Sequence, residues 1–353
     1  SPGMSKAVIG CAVVLLLGLI GCGEAGTDSS GSSRPQVAYV TNGIASFWVI
    51  AEAGARKGGE EFDVEVLVRM PGPGGIVDQT RMIQELIALE VDGMAVSPID
   101  GENQNDIIDT AADRMFVITH DSDAPNSNRL CYVGMDNYTA GRMCGKLVKE
   151  AMPAGGELMI FIGRLEQDNA KYRRQGVIDE LLDREWDRTQ YDPPGKKLTG
   201  GKFTILDTRT DEFTMESSKR QAEDALARHP DIDGMVGLFA YNPPEILDAL
   251  KGAGKLGQVQ VIGFDEADET LQAIIDGDCY GTVVQNPYMY GYESVRILAA
   301  LARNENVLPE DGFFGIEGRT ITKENVVEFW DDLKQKMDAP PTPSEVSSPE
   351  DSG

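Results

Sequence analysis

Histidine and cysteine are scarce in this sequence of 353 residues, which contains 2 histidines and 5 cysteines. His120 and His229 are too few for a histidine-based zinc site, and they make a Ser-His-Asp triad hard to assemble. Two cysteines lie in an N-terminal apolar run, and the remaining ones form no CxxC motif. This pattern is not a disulfide framework, so we expect buried thiols, with a Cys131–Cys144 pair as the alternative.

Positive charge is also in short supply, because 58 Asp and Glu residues against 32 Lys and Arg residues give a formal net charge of -26. Binding nucleic acid requires Lys and Arg to neutralise phosphates, so this balance excludes a nucleic-acid partner. The glycine-rich turn at 71–75 lacks the GxGxxG spacing of a nucleotide loop. The run from His120 to Asp123 has no further ligands at a recognisable spacing. We therefore expect neither a cofactor nor a metal site.

The longest apolar run, residues 7–22, follows Lys6 and ends in the tetrapeptide Leu-Ile-Gly-Cys. It is too short for a comfortable bilayer span of roughly 20 residues, but it fits a secretory signal. The tetrapeptide resembles the lipobox of bacterial lipoproteins, which implies that the signal segment 1–22 is cleaved just before Cys22 and that Cys22 carries the lipid. We expect a lipid-anchored protein of the cell envelope, on the periplasmic or extracellular face. A plain signal peptide or anchor with a chance cysteine is the alternative.

Both flanks of the central sequence have the composition of linkers. Residues 23–35 are rich in Gly, Ser and Thr and predict a flexible leash, whereas residues 337–353 are rich in Pro, Ser and acids and predict a disordered tail. About 300 residues remain, enough for two domains of ordinary size.

Short apolar β-rich runs alternate with helical stretches from residue 37 onward, and the alternation repeats after residue 139. Continuous apolar runs are typical of parallel strands buried on both faces. The pattern predicts an α/β fold with two doubly wound parallel-sheet lobes and a ligand at the carboxyl ends of the strands. The last helix is predicted at 287–303. The predicted strands are 37–41, 64–68, 93–97, 115–119, 158–162, 203–206, 234–238, 259–262 and 280–285.

The side chains that follow these strands point to a carbohydrate. Hydroxyl groups both donate and accept hydrogen bonds, which suits carboxylates and amides, and an arginine adds a fork of donors. The apolar face of a sugar ring suits a large aromatic such as Trp48. The candidate residues chosen on this basis are Asn42, Phe47, Trp48, Asp121, Asp123, Arg173, Asp265 and Gln285.

The chain also resembles the periplasmic sugar-binding proteins of ABC importers, of the ribose-binding type, over residues 36–325. This resemblance implies two lobes joined by a hinge with three crossings. Lobe 1 would be 36–135 plus 286–316, and lobe 2 would be 136–285 plus 317–336. Its landmarks are Phe47-Trp48, Val117-Ile-Thr-His-Asp121, Val133-Gly-Met-Asp-Asn137, Arg173-Arg-Gln-Gly176, His229-Pro-Asp231, Val261-Ile-Gly-Phe-Asp265 and Val283-Val-Gln285.

The resemblance implies a role for each matching residue. Phe47 and Trp48 would sandwich the sugar, and Asp121 would bind ring hydroxyls from the first lobe. The contacts implied from the second lobe or its hinge are Arg173, Asp265, Gln285, the aromatic Phe213 and the amide of Asn242, with Phe239 competing for the last position. The implied partners are a small carbohydrate and an ABC permease in the inner membrane, and we expect a monomer without enzymatic activity.

Two departures from the ribose-specific pattern leave the identity of the sugar open. Ala45-Ser46 precedes the aromatic pair where the pattern has asparagine, and Ser122 stands where it has arginine. Asn42 and Asp123 are candidates to compensate, and a hexose or another polyol fits as well as ribose. Two other functions remain as alternatives: a receptor domain that presents a sugar or signal to a membrane sensor, and an exported hydrolase acting on sugars, with Asp121 and Asp265 as its two carboxylates.

Overall fold

A computed structural model describes residues 34–165 and 168–338 of the chain. The predicted signal segment, the predicted lipidation site Cys22 and all but the first two residues of the predicted tail lie outside the described residues. Within the part that is described, no helix combines the length and apolarity needed to cross a membrane.

The first sheet, sheet A, contains six parallel strands. They are β1 Gln36–Val40, β2 Glu65–Arg69, β3 Gly93–Val96, β4 Phe116–His120, β5 Tyr132–Gly134 and β12 Phe313–Gly315. Their spatial order is β12-β5-β4-β3-β1-β2. β3 is buried at all four positions, as expected for a parallel strand covered on both faces.

The second sheet, sheet B, has seven strands in the order β13-β11-β10-β9-β6-β8-β7. Its inner strands are parallel, and the two edge strands β13 and β7 run antiparallel to their neighbours. The strands are β6 Gly156–Ile162, β7 Leu198–Gly200, β8 Phe203–Thr210, β9 Gly234–Gly237, β10 Gln260–Phe264, β11 Gly281–Val284 and β13 Arg319–Thr322.

Helices pack against these sheets and against each other. Glycines allow the closest approach: a Cβ atom on Gly141 would lie 2.0 Å from the carbonyl oxygen of Arg173, and one on Gly176 would lie 2.2 Å from that of Tyr138. The helices are α1 Ser46–Glu61, α2 Ile76–Ala88, α3 Asn105–Ala112, α4 Asn137–Ala151, α5 Asp168–Leu181, α6 Met215–Arg228, α7 Asn242–Gly252, α8 Asp268–Asp276, α9 Pro287–Ala302 and α10 Val326–Met337.

The chain passes between the two sheets three times, between β5 and β6, between β11 and α9, and between β12 and β13. The predicted α/β fold with two parallel-sheet lobes is confirmed. The helix predicted at 287–303 is α9, but the prediction that it is the last helix is wrong, because α10 follows it. Buried Val326, Phe329 and Leu333 show the i, i+3, i+7 spacing that would have predicted this helix.

The three cysteines of the described region are free and buried. Cys131 packs in the core of sheet A, whereas Cys144 packs in the core beside sheet B. The alternative of a Cys131–Cys144 disulfide is therefore not supported, because the two thiols belong to different cores.

Candidate functional site

The carboxyl ends of β1, β3 and β4 bring three polar residues together. Asp121 accepts a hydrogen bond at Oδ2 from Ser97 Oγ at 3.0 Å and a longer one from Asn42 Nδ2 at 3.4 Å. Asn42 Nδ2 also donates to Ser97 Oγ at 3.1 Å. No hydrogen bond within the described residues uses Oδ1 of Asp121. One carboxylate oxygen is thus anchored, and the other is left to accept from a ligand.

The backbone of Asp121 is in the left-handed region, with φ 61°. This conformation is strained for a residue with a side chain, and such residues cluster at binding sites. The Asp121 amide donates to the carbonyl oxygen of Val133 at 2.9 Å, and its own carbonyl oxygen accepts from the Tyr132 hydroxyl at 2.8 Å. These two bonds hold the turn that aims the carboxylate away from the sheet.

His120 supports this turn from inside lobe 1 as a neutral imidazole. Its Nε2 lies 2.9 Å from the carbonyl oxygen of Val40, which can only accept, so Nε2 carries the proton and Nδ1 accepts from the Tyr39 hydroxyl at 3.0 Å. Burial lowers the pKa of His120 to about 3. The Tyr39 ring stacks on His120 and Trp48 meets it edge-on, with centroids 4.1 Å and 5.7 Å away.

Arg173 is the buried cation on the other side of the site. Its Nε and Nη2 atoms donate to Asn137 Oδ1 at 3.1 Å and 2.9 Å, and Nη1 donates to the carbonyl oxygen of Leu238 at 2.8 Å. The guanidinium lies 3.8 Å from the centroid of the Phe264 ring. Its position follows from the close packing of α4 and α5 at Gly141 and Gly176.

Asp265 repeats the geometry of Asp121 in sheet B. It follows β10, its φ is 64°, and its amide donates to the carbonyl oxygen of Val283 at 2.7 Å. Its own carbonyl oxygen accepts from the Thr282 hydroxyl at 2.7 Å. Gln285 Nε2 donates to Oδ1 at 3.0 Å, and no hydrogen bond among the described residues uses Oδ2.

The two aspartates and Arg173 act on one another electrostatically across the space between the sheets. Burial raises the pKa of Asp121 to about 6, and the negative charge of Asp265 adds to this rise. The Ser97 hydrogen bond lowers the pKa of Asp121, and the charge of Arg173 lowers it more weakly. Burial likewise raises the pKa of Asp265, with Arg173 and Gln285 opposing it. Burial lowers the pKa of Arg173 and the Asp265 carboxylate opposes this shift. A guanidinium stays charged in proteins in any case. Two carboxylates thus share one guanidinium.

Aromatic rings complete the site. Phe47 packs edge-on against Trp48 at 4.8 Å and approaches Tyr290 at 6.3 Å between centroids. On the sheet B side Phe213, which is 41% exposed, stacks on Phe239 at 5.6 Å with the ring planes 10° apart. Trp48 itself is 4% exposed, so Phe47 and the exposed phenylalanine present the accessible ring surfaces.

Tyr290 joins the two sides of the site. Its hydroxyl donates to Gln285 Oε1 at 3.2 Å, and Gln285 in turn holds Asp265. Tyr290 lies at the start of α9, immediately after the chain leaves sheet B.

Two residues expected to bind ligand have other partners. Asp123 is held by a bidentate ion pair with Arg129, at 2.8 Å and 2.9 Å, and Thr119 donates to it at 2.6 Å. Asn242 is fully buried, and its amide is used by Asp211, Ser218 and the Phe239 backbone amide.

The polar groups of Asp123 and Asn242 are thus engaged within the protein, and these contacts give no support to the expectation that the two residues bind ligand. Phe239, the competitor for the Asn242 position, stands beside Arg173 instead, with the guanidinium 5.7 Å from its ring centroid.

The predicted set leaves out Ser97 and Asn137, although both positions were visible in the sequence. Ser97 is the last residue of a predicted strand, and Asn137 closes one of the landmark segments. Within the described residues no cluster of three or more His, Cys, Asp or Glu side chains is arranged to hold a metal ion.

Carboxylates, amides, one arginine and aromatic rings between two parallel sheets define a two-lobed α/β binding protein. The chain belongs to the periplasmic binding protein family, because the profile of the Periplasmic binding protein domain matches residues 37–306. Family membership implies a location outside the cytoplasm. It also confirms the prediction of a binding protein rather than an enzyme, so the alternative of an exported hydrolase falls away.

Named relatives are similar over most of the chain. The D-ribose/D-allose-binding protein of Pseudomonas aeruginosa is 24% identical over 267 residues, which cover 71% of this chain and 77% of the relative. The Ribose import binding protein RbsB of Salmonella typhimurium is 20% identical over 288 residues, which cover 80% and 90%.

A solved structure is also similar over most of the chain. The ABC transporter solute binding protein of Burkholderia graminis, in complex with D-arabinose, matches with a TM-score of 0.71 at 24% identity, covering 82% of this chain and 96% of that protein. At this level of identity the likeness establishes the fold.

Proposed function

We propose that this chain captures one small neutral sugar between two closing lobes in the cell envelope and delivers it to an ABC importer. The observation that carries the proposal is the pair of half-buried aspartates that follow strands of the two different sheets. Each has one anchored oxygen and one oxygen without a hydrogen bond in the described residues. A sugar that offers hydroxyl groups on opposite edges of its ring satisfies both, and Arg173 offsets one of the two negative charges.

The proposed lobes are 36–135 plus 286–316 and 136–285 plus 317–336. This division keeps the strands of each sheet together and puts the three passages of the chain at the hinge. Two lobes joined in this way can rotate as rigid bodies, and a ligand that touches both favours the closed form.

The proposed contacts come from both lobes. Asp123 is left out because Arg129 neutralises its charge, and Asn242 is left out because it is fully buried. The set is Asn42, Phe47 and Asp121 from lobe 1, with Arg173, Phe213, Asp265 and Gln285 from lobe 2 or the hinge. Buried Trp48 supports the Phe47 ring edge-on.

The choice of sugar as the ligand class is supported by the relatives, whose names refer to ribose, allose and arabinose. Ribose itself is not singled out, because the Ser122 hydroxyl is used within the protein: it donates to the carbonyl oxygen of Pro98 at 2.5 Å. The arginine of the ribose-specific pattern has no substitute there, since Arg129 is committed to Asp123. We propose a pentose, hexose or related polyol.

The proposed tether is a lipid on Cys22. It rests on the tetrapeptide at 19–22 and on the leash that follows it. Expression in a bacterial host with a labelled fatty acid should label the full chain, and Cys22→Ala should abolish the label. Labelling that persists in the variant would exclude this site.

The experiment that tests the binding function is a calorimetric screen of pentoses, hexoses and polyols, with an amino acid, a nucleoside and Mg²⁺ as comparison ligands. We expect one sugar to bind with a Kd around micromolar, or roughly -8 kcal/mol. Asp265→Ala is the matched variant and should lose that binding. Binding of a comparison ligand with no response to any sugar would contradict the proposal.

A further inference from the structure

Asp121 and Asp265 are braced in the same way, although they lie in different sheets. In each case a residue with positive φ follows a parallel strand, and its backbone N–H donates a hydrogen bond to a carbonyl oxygen of the next strand. In each case a hydroxyl from the next strand donates to the aspartate carbonyl oxygen, from Tyr132 at 2.8 Å and from Thr282 at 2.7 Å.

We infer that Tyr132 and Thr282 are positioning residues, each holding one aspartate in the left-handed conformation from which its free carboxylate oxygen meets a sugar hydroxyl. The inference rests on the proposed function for its effect on affinity. Neither residue is among the predicted ligand contacts, and each acts through the peptide that follows its aspartate.

Thr282 gives the clearer case, because its side chain cannot reach a ligand. The residue has no exposed surface, and its hydroxyl is committed to the carbonyl oxygen of Asp265. Any effect of this hydroxyl on binding must therefore pass through the neighbouring turn.

Packing also fixes the Tyr132 hydroxyl. Its ring stacks on Phe313 with centroids 5.8 Å apart. A Cβ atom on Gly134 would lie 2.3 Å from the Tyr132 hydroxyl oxygen, so glycine at that position leaves room for the hydroxyl to reach Asp121.

Each hydroxyl helps to hold its aspartate in an unfavourable backbone conformation. A non-glycine residue in the left-handed region persists only when its surroundings hold it there. Without the hydroxyl, the aspartate peptide can rotate and its carboxylate moves with it. Binding geometry is sensitive to displacements of this size, and one lost hydrogen bond corresponds to about tenfold in affinity.

The test uses Tyr132→Phe and Thr282→Val, which remove the hydroxyls and keep the bulk. Parent and variants are titrated with D-ribose, D-allose, D-arabinose and D-galactose, and the tightest-binding sugar of the parent is used throughout. We expect about tenfold weaker binding for each variant. Tyr280→Phe and Thr270→Val are the controls and should bind as the parent does. The Tyr280 hydroxyl bonds to Glu150, and the Thr270 hydroxyl has no partner among the described residues.

Double-mutant cycles separate positioning from general stability. Tyr132→Phe should weaken binding little further in the Asp121→Asn background but by its full amount in the Asp265→Asn background. Thr282→Val should weaken binding little further in the Asp265→Asn background but by its full amount in the Asp121→Asn background. A merely structural role would weaken binding equally in both backgrounds, and that result would overturn the inference.

A readout without ligand keeps the inference testable even if no sugar binds. Hydrogen exchange at the Asp121 amide should become about tenfold faster in Tyr132→Phe, while exchange at the Asp265 amide stays unchanged. Unchanged exchange at Asp121 would overturn the positioning role, whereas failure of every sugar to bind would count against the proposed function alone.

Discussion

Neutralising Asp121 should make the ligand-free protein more stable at neutral pH while weakening sugar binding. The pKa of Asp121 is raised from 3.8 to about 6, chiefly by burial, so the folded protein bears a cost for keeping this carboxylate charged. A difference of about two units, at about 1.4 kcal/mol per unit, limits that cost to about 3 kcal/mol. Asp121→Asn removes the charge, and asparagine tolerates the left-handed backbone better than most residues.

The sign of the effect sets its pH range. A folded-state pKa above the unfolded value means that the folded protein binds the proton more tightly, so the charge costs stability fully only above about pH 6. As the pH falls toward 4, the folded protein takes up the proton and the cost disappears. The advantage of Asp121→Asn should therefore be largest near pH 7.5 and should vanish near pH 4.

Denaturant unfolding of ligand-free parent and variant at both pH values measures this directly. We expect Asp121→Asn to gain about 1–3 kcal/mol at pH 7.5. Asp123→Asn is the matched control, two residues away, and should lose stability because it breaks the ion pair with Arg129. An equal gain for Asp121→Asn at both pH values, or a loss at pH 7.5, would refute the argument from buried charge.

Three further predictions concern binding and motion. Arg173→Ala should weaken sugar binding by about 2–5 kcal/mol in calorimetry, because it leaves buried partners unpaired, and parental affinity would place Arg173 outside the site. The affinity for sugar should fall as the pH drops below about 6, because sugar hydroxyls donate to the charged form of Asp121. Asp121→Asn should not show this loss. A parent affinity that does not change with pH would contradict the prediction. Small-angle scattering should show a smaller radius of gyration at saturation with the cognate sugar, and an unchanged radius would argue against lobe closure.

Local sequence patterns were sufficient for most of the parallel strands and most helices. β1, β3 and β10 are short and buried along most of their length, and such runs are easily recognised. β5 and β12 have three residues each, too few for any periodicity, and they form because they pair with each other across 181 positions of sequence, from Tyr132 to Phe313.

The site could be predicted only in part, for a similar reason. Positions after strands gave Asp121, Asp265 and Gln285, and a predicted helix start gave Arg173. The structure brings all four to one region. The partners that occupy Asp123 and Asn242 were not predictable in this way. Arg129 lies in a loop with no pattern, and Asp211 is 31 residues from Asn242 and reaches it only after the sheet has formed.

The chain returns to sheet A late, with α9 and β12, and this affects the order of folding. One face of sheet A is covered by α9, and its outer strand is β12, so the first hundred residues cannot complete their own core. Lobe 1 must wait until residue 315 has been made, and its long-range contacts favour slow folding. An N-terminal fragment ending near residue 135 would expose the apolar face that α9 normally covers. A chain with this topology therefore keeps sheet A unfinished until nearly all of the chain has been synthesised.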